Sequence, residues 1–183
     1  MPFPEFAMTS LKTLRIESPL GPITLAASQM GLCGLWFEKQ KHSPTDADRQ
    51  NWQADAQHPL LQSAAAQVQA YFAHTPVVFD LALDLSAGTP FQQSVWQALL
   101  SIPSGQTRSY GDLAKHLGKA SAVRAVGAAV GRNPVSIIVP CHRIVGAAGQ
   151  LTGYAGGLWR KQALLKREGH PMALPVSPPL FSE

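Results

Sequence analysis

No stretch of the 183-residue chain holds the roughly 18 to 20 consecutive apolar residues that span a bilayer. Short candidates such as residues 135–139 stop at Pro140, and a helical membrane protein is not expected. Charged residues are scarce too, at 14% against the roughly one quarter of ordinary domains, so charge-driven disorder is not expected over most of the chain. A hydrophobic content of 45% and a mean hydropathy near zero imply a real core. The length fits one average domain or two small ones and excludes a large multidomain machine. Residues 1–6 lack the basic end and apolar stretch of a secretory signal, so cytoplasmic residence is expected. Cysteine is limited to Cys33 and Cys141, far apart in sequence. With no export signal a structural disulfide is not expected, and each thiol needs its own account.

Positive charge is unevenly spread. Residues 1–87 hold five Lys and Arg against eight Asp and Glu, a net of −3; residues 88–183 hold ten against three, a net of +7. A basic half in a small domain gives an electrostatic reason to meet a polyanion, of which nucleic acid is the commonest.

The N-terminal part reads as strands. Residues 11–17 (LKTLRIE) alternate, Gly21 and Pro22 punctuate a turn, and residues 23–27 and 31–37 form two more short apolar runs. Polar residues 39–57 suggest a surface loop. Leu61, Ala65, Val68 and Phe72 then mark an amphipathic helix over 59–73, and alternating residues 77–85 should return to the sheet. The second half reads as short capped helices. Thr89 and Pro90 open one over 91–100; Ser109 and Asp112 form a capping box for the next, which Gly118 stops. Ser121 is expected to cap a further helix, 122 to about 132, and residues 137–139 to form an apolar strand. The last helix, 158–168, should keep Leu164 and Leu165 inward and Arg160, Lys161 and Lys166 outward.

The predicted class is thus α+β. A small N-terminal domain of β-sheet and helix (residues 1–88) precedes a mainly helical domain with a winged-helix-like helix-turn-helix (89–169), and a proline-rich tail (170–183) comes last. The second helix of that motif is nearly bare, with Ala122, Ala125, Gly127, Ala128, Ala129 and Gly131 around Arg124 and Arg132. Reading a major-groove donor and acceptor pattern needs several polar side chains, so this helix suits either close packing in a core or a sequence-blind approach to the minor groove.

The sharpest chemical feature is Pro140-Cys141-His142-Arg143. A thiol at a turn or helix start, beside a cation and an imidazole, is placed for a lowered pKa and nucleophilic attack. Cys33 has no such neighbours and reads as core. With Asn133 and Pro134 before it and residues 153–157 (GYAGG) after it, the Pro-Cys-His-Arg block resembles the active-site region of the O6-alkylguanine-DNA alkyltransferases. Ser109-Tyr110, residues 124–127 (RAVG) and 164–169 (LLKREG) extend the resemblance over nearly all of 89–169.

The resemblance implies that Cys141 takes an alkyl group from guanine O6 while His142, through a water, accepts the thiol proton and Glu168 orients the imidazole. Asn133 would tie the turn, Tyr110 would donate to the guanine ring, and Val130, Ile144, Tyr154 and Ala155 would form the lesion pocket. Arg124 would fill the gap left by a flipped nucleotide, with Tyr110, Ala122, Ala125 and Arg132 also at the DNA. The implied partner is double-stranded DNA, bound by a monomer mainly through the minor groove without sequence preference; cooperative binding is left open. No cofactor or metal is implied, since Cys33 is the only thiol of the N-terminal part and His42, His58 and His74 lack ligand spacing. Ala155 stands where some members carry serine, and Gly131-Arg132 reverses an Arg-Gly order. Three other functions fit these residues less well. A non-catalytic lesion binder would lack Cys141, a cysteine hydrolase would leave the smooth helix unexplained, and a regulator would need more reading side chains.

Overall fold

The structure, a computed structural model, describes residues 10–73 and 77–171. All of the expected tail beyond its first two residues lies outside them. Three strands, β1 (Lys12–Ile16), β2 (Ile23–Ala27) and β3 (Leu32–Phe37), form the antiparallel meander that the alternation and the turn residues predict. A two-residue strand β4 (Gln53–Ala54), inside the stretch expected to be loop, pairs parallel with β1 and completes the order β3-β2-β1-β4. Helix α1 (Pro59–Phe72) buries Leu61, Ala64, Ala65, Val68 and Tyr71, and Leu61 and Val68 share one core cluster with Leu25 and Leu35 of the sheet.

The outer edge of β3 ties the N-terminal sheet to the second half of the chain. A bulge opposite Ala26 and Ala27 turns the backbone groups of both Leu32 and Leu35 outward, a spacing of three that a regular strand does not allow. Leu32 exchanges hydrogen bonds with Ala82 and Asp84, at 2.8 and 2.9 Å; Leu35 exchanges them with Pro134 and Ser136, at 2.9 and 3.0 Å. Two different parts of the chain thus share one edge, which leaves it protected. The expected strand over 77–85 is accordingly corrected to a single bridge at Leu83. Its alternation is real, since Val77, Phe79, Leu81, Leu83 and Leu85 pack on the core, but Gln67 of α1 takes both backbone groups of Asp80.

The second half holds α2 (Pro90–Leu99), β5 (Arg108–Ser109), α3 (Tyr110–His116), α4 (Val123–Gly131), β6 (Ile144–Val145) and α5 (Leu158–Arg167). The predicted capping box of Ser109 with Asp112 is present, and Thr89, expected as an N-cap, forms a capping box of its own with Gln92. Trp96 Nε1 donates to the Ala129 carbonyl at 2.8 Å and ties α2 to α4. The Trp96 ring fills the space over Gly88, where any Cβ would collide with it. Ser121 is not the cap of α4. Residues 119–122 close a turn, Ala122 N to Lys119 O at 2.8 Å, and Ala122 itself precedes the helix without a side-chain cap. Among the described residues no helix is long and apolar enough to cross a membrane.

Candidate active site

Residues 137–139 form no strand. Instead the chain makes two tight turns, and these set the cysteine. Ile138 N donates to Ser136 O at 2.8 Å across Ile137, whose φ of +71° is costly for a β-branched residue. Cys141 N donates to Val139 O at 2.8 Å across Pro140, whose φ of −84° and ψ of 62° are those of an inverse γ-turn. Asn133 holds the whole segment. It is buried; its Oδ1 accepts from Val135 N at 3.0 Å, and its Nδ2 donates to Val139 O at 2.8 Å and to Cys141 Sγ at 3.1 Å. A strained loop fixed at both ends by one amide delivers the thiol in one orientation.

From Cys141 a short 3₁₀ turn, Cys141–Arg143, directs His142 into the protein. Its Nε2 lies 2.8 Å from Glu168 Oε1. The Glu168 carboxylate also accepts from Arg143 Nε and Nη2, each at 2.9 Å, from Tyr71 Oη at 2.9 Å and from Gly105 N at 3.4 Å. Burial pushes this carboxyl up, but hydrogen bonds from His142 and Arg143 and the Arg143 charge outweigh it and hold it well below the usual carboxylate range. Burial likewise pulls the imidazole down, against the pull of Glu168. A neutral imidazole facing an ionised carboxylate carries its proton on Nε2, which leaves the Nδ1 lone pair as a base. That Nδ1 atom is buried and has no protein hydrogen-bond partner.

The expected lowering of the thiol pKa is corrected: burial raises it, opposed but not outweighed by the Asn133 hydrogen bond and then the Lys161 ammonium. Two further expectations are corrected here. Lys161 does not point outward; it is fully buried, and its Nζ donates to Thr152 O at 2.8 Å and to Gly153 O at 3.1 Å. Arg160 is half-buried as well, with Nε on Leu20 O. The cation that acts on the thiol is therefore Lys161, whereas Arg143, its sequence neighbour, is committed to Glu168. Burial lowers the Lys161 pKa to about 8, so it remains mainly charged at pH 7. Lys161→Met should raise the thiol pKa, and each unit lowers the thiolate fraction about tenfold near neutrality. The pH dependence of Cys141 labelling by iodoacetamide reads this; an unshifted profile would remove Lys161 from thiol activation.

A cavity of about 200 Å³ opens over Cys141, lined by Tyr110 of α3, by Gly127, Val130 and Gly131 of α4, and by Gly153, Tyr154 and Ala155. The Tyr110 hydroxyl donates to Thr152 O at 3.2 Å. Ile144 is fully buried and, unlike the other expected pocket residues, does not line this cavity; its N–H is taken by Cys141 O. Lys41 and His42 line it from the N-terminal half, where Lys41 N donates to Ala155 O at 2.9 Å. Nothing local in sequence marked either residue. Arg124 and Ala125 are exposed on α4, Ala122 and Arg132 half-buried at its two ends. Among the described residues no three His, Cys, Asp or Glu side chains gather as a metal site.

A bare helix-turn-helix thus lies over the Cys141 thiol, with a His–Glu pair behind it, an arrangement of the DNA-binding class that the family models describe. The chain belongs to the 6-O-methylguanine DNA methyltransferase family: the model of that family's DNA-binding domain matches residues 90–170, and that of its ribonuclease-like domain matches residues 12–85. The methylated-DNA–protein-cysteine methyltransferase of Mycobacterium tuberculosis is 50% identical over 153 residues, 84% of this chain and 89% of that protein. The enzyme of the same name from Methanosarcina acetivorans is 49% identical over 153 residues, 84% and 95% of the two chains. A crystal structure of Mycobacterium tuberculosis OGT in complex with DNA superposes with a TM-score of 0.77 at 49% identity, covering 87% of this chain and 92% of that one.

Proposed function

We propose that Cys141 is the residue that receives the methyl or larger alkyl group when this chain repairs O6-alkylguanine in DNA. The observation that carries this reading is the thiol at the cavity floor, hydrogen-bonded by Asn133 and backed by His142 and Glu168. His142 Nδ1 accepts the thiol proton through a water. Sγ then forms a bond to the alkyl carbon as the C–O6 bond breaks, and the electron pair passes to the purine. Tyr110, turning from Thr152 O, donates to the base as that charge develops. The product thioether has no water-labile bond and is a poor leaving group, so each chain acts once.

An sp³ carbon inside a stacked duplex cannot be reached from behind by a protein sulfur, so the nucleotide is flipped into the cavity. The near-absence of side chains on α4 supports docking in the minor groove without sequence preference, with Arg124 entering the gap. A monomer supplies every group named. Dependence on a reduced thiol suits the reducing cytoplasm.

Incubation with an O6-methylguanine oligonucleotide, followed by intact-protein and peptide mass measurement, tests the assignment. One methyl per chain on Cys141 is expected; product release from unmodified protein would refute it. For Arg124→Ala, transfer from duplex DNA should fall about tenfold or more, the loss of one to two kcal/mol of flipped-state stabilisation, with little change toward a free O6-alkylguanine base. Equal losses on both substrates would contradict the wedge role.

A further inference from the structure

We infer that Tyr71, on the N-terminal helix α1, is a positioning residue for the transfer: its hydroxyl, donated to Glu168 Oε1, sets how strongly that carboxylate holds the His142 Nε2–H. The inference rests on the reading of His142 as the proton acceptor. Three donors converge on Oε1: Tyr71 Oη at 2.9 Å, His142 Nε2 at 2.8 Å and Arg143 Nη2 at 2.9 Å. A carboxylate offers about four lone-pair sites over both oxygens, so three donors on one oxygen divide its charge among them. Removing one strengthens the pull on the other two. A tyrosine that only filled space could be phenylalanine; here the ring is buried and its hydroxyl has one partner, the carboxylate that holds His142.

The ring is held for this task. The Arg167 guanidinium lies 4.1 Å from its centroid while Nε donates to the Tyr71 carbonyl, and Phe79 packs beside it at 5.8 Å. Burial first, and then the Glu168 charge, push the phenol above its ordinary pKa, so it remains a donor throughout the neutral range. The charged groups around the imidazole are Lys161 of α5 and Glu168 at its C-cap, Arg143 of the 3₁₀ turn and the Cys141 thiol, with Arg167 beyond the Tyr71 ring. Without the phenol donor, Glu168 draws harder on Nε2–H and the imidazolium is favoured.

The test is the pH profile of single-turnover methyl transfer in the full chain. Tyr71→Phe should move the acid limb upward by roughly half a pH unit to one, the share of a charged hydrogen bond passed to the imidazole, with duplex binding unchanged. Replacing Tyr71 by 3-fluorotyrosine, a stronger donor of nearly the same shape that preserves the fold, should move it downward. Superimposable profiles, or a lower melting temperature with no shift in the limb, would overturn the role of Tyr71 while leaving Cys141 as acceptor. A wild-type chain that acquires no methyl on Cys141 would instead remove the functional reading itself.

Discussion

Cys141→Ala should bind an O6-methylguanine duplex and acquire no methyl group at any position. The expected loss of transfer is complete, because no second thiol can substitute. Cys33 is buried among Leu11, Ala26 and Trp36, in a cluster apart from the one that contains Cys141, and burial pushes its pKa up to about 12. At pH 7 its thiolate population is negligible, and the Asp84 charge opposes ionisation further. Binding should persist because the substitution removes one nearly buried sulfur atom and leaves α4 and the cavity walls in place. Asn133 keeps its bonds to Val135 and Val139, so the turn that shapes the site remains. Intact-mass measurement alongside a gel-shift titration checks both halves. A methyl adduct on Cys33, or turnover by the variant, would show that the acceptor has been misassigned.

The largest effect on stability should come from Glu168→Ala. Five hydrogen bonds from Tyr71, Gly105, His142 and Arg143 converge on this fully buried carboxylate, and the alanine leaves every donor without its acceptor. Removing one partner of a buried ion pair costs about 3–5 kcal/mol, a large part of the roughly 5–15 kcal/mol that holds a domain together. The urea midpoint should fall accordingly, and transfer should fail because His142 loses its orientation. Glu168→Gln, which keeps the shape and one acceptor, should lose less stability. An unchanged midpoint for the alanine variant would mean that the network adds nothing net to folding.

The same network predicts acid lability, and both partners act in the same direction. The folded Glu168 pKa is depressed, so its contribution is complete above the unfolded value of about 4.3 and disappears as pH falls below it. The folded His142 pKa is also depressed, so below the unfolded value of about 6.5 the unfolded chain binds more protons than the folded one. Stability should therefore begin to decline near pH 6.5 and fall more steeply below about 4.3.

The parts of this molecule legible in its sequence are those decided within a few residues. The Ser109 capping box, the Thr89 cap, the meander and the α1 stripe each depend on neighbours three or four positions away or on strict alternation, and all are present. Of the residues expected from their motif blocks, Asn133 bonds the Cys141 thiol and His142 bonds Glu168. What escaped is what the distant chain decides. Lys161 reads as an outward helix charge until the carbonyls of Thr152 and Gly153 curl over the start of α5 and receive its ammonium. Residues 137–139 have the composition of a strand, yet Asn133 supplies the hydrogen bonds a ladder would have given and the chain folds into tight turns instead. Tyr71, Lys41 and His42 lie in the other half of the sequence, where no local pattern links them to the cysteine.

The edge of β3 shared between Leu83 and Val135 makes the thiol a reporter of its own assembly. Pro134 and Ser136 can bond Leu35 only after the N-terminal sheet exists, and that pairing reinforces the turns that Asn133 holds and that bring Sγ to the cavity. A chain partly opened by heat or denaturant therefore carries an exposed thiol, free of the burial that raises its pKa. That pairing therefore shields the sulfur from general solvent reagents while it places the sulfur at a cavity that admits only what fits.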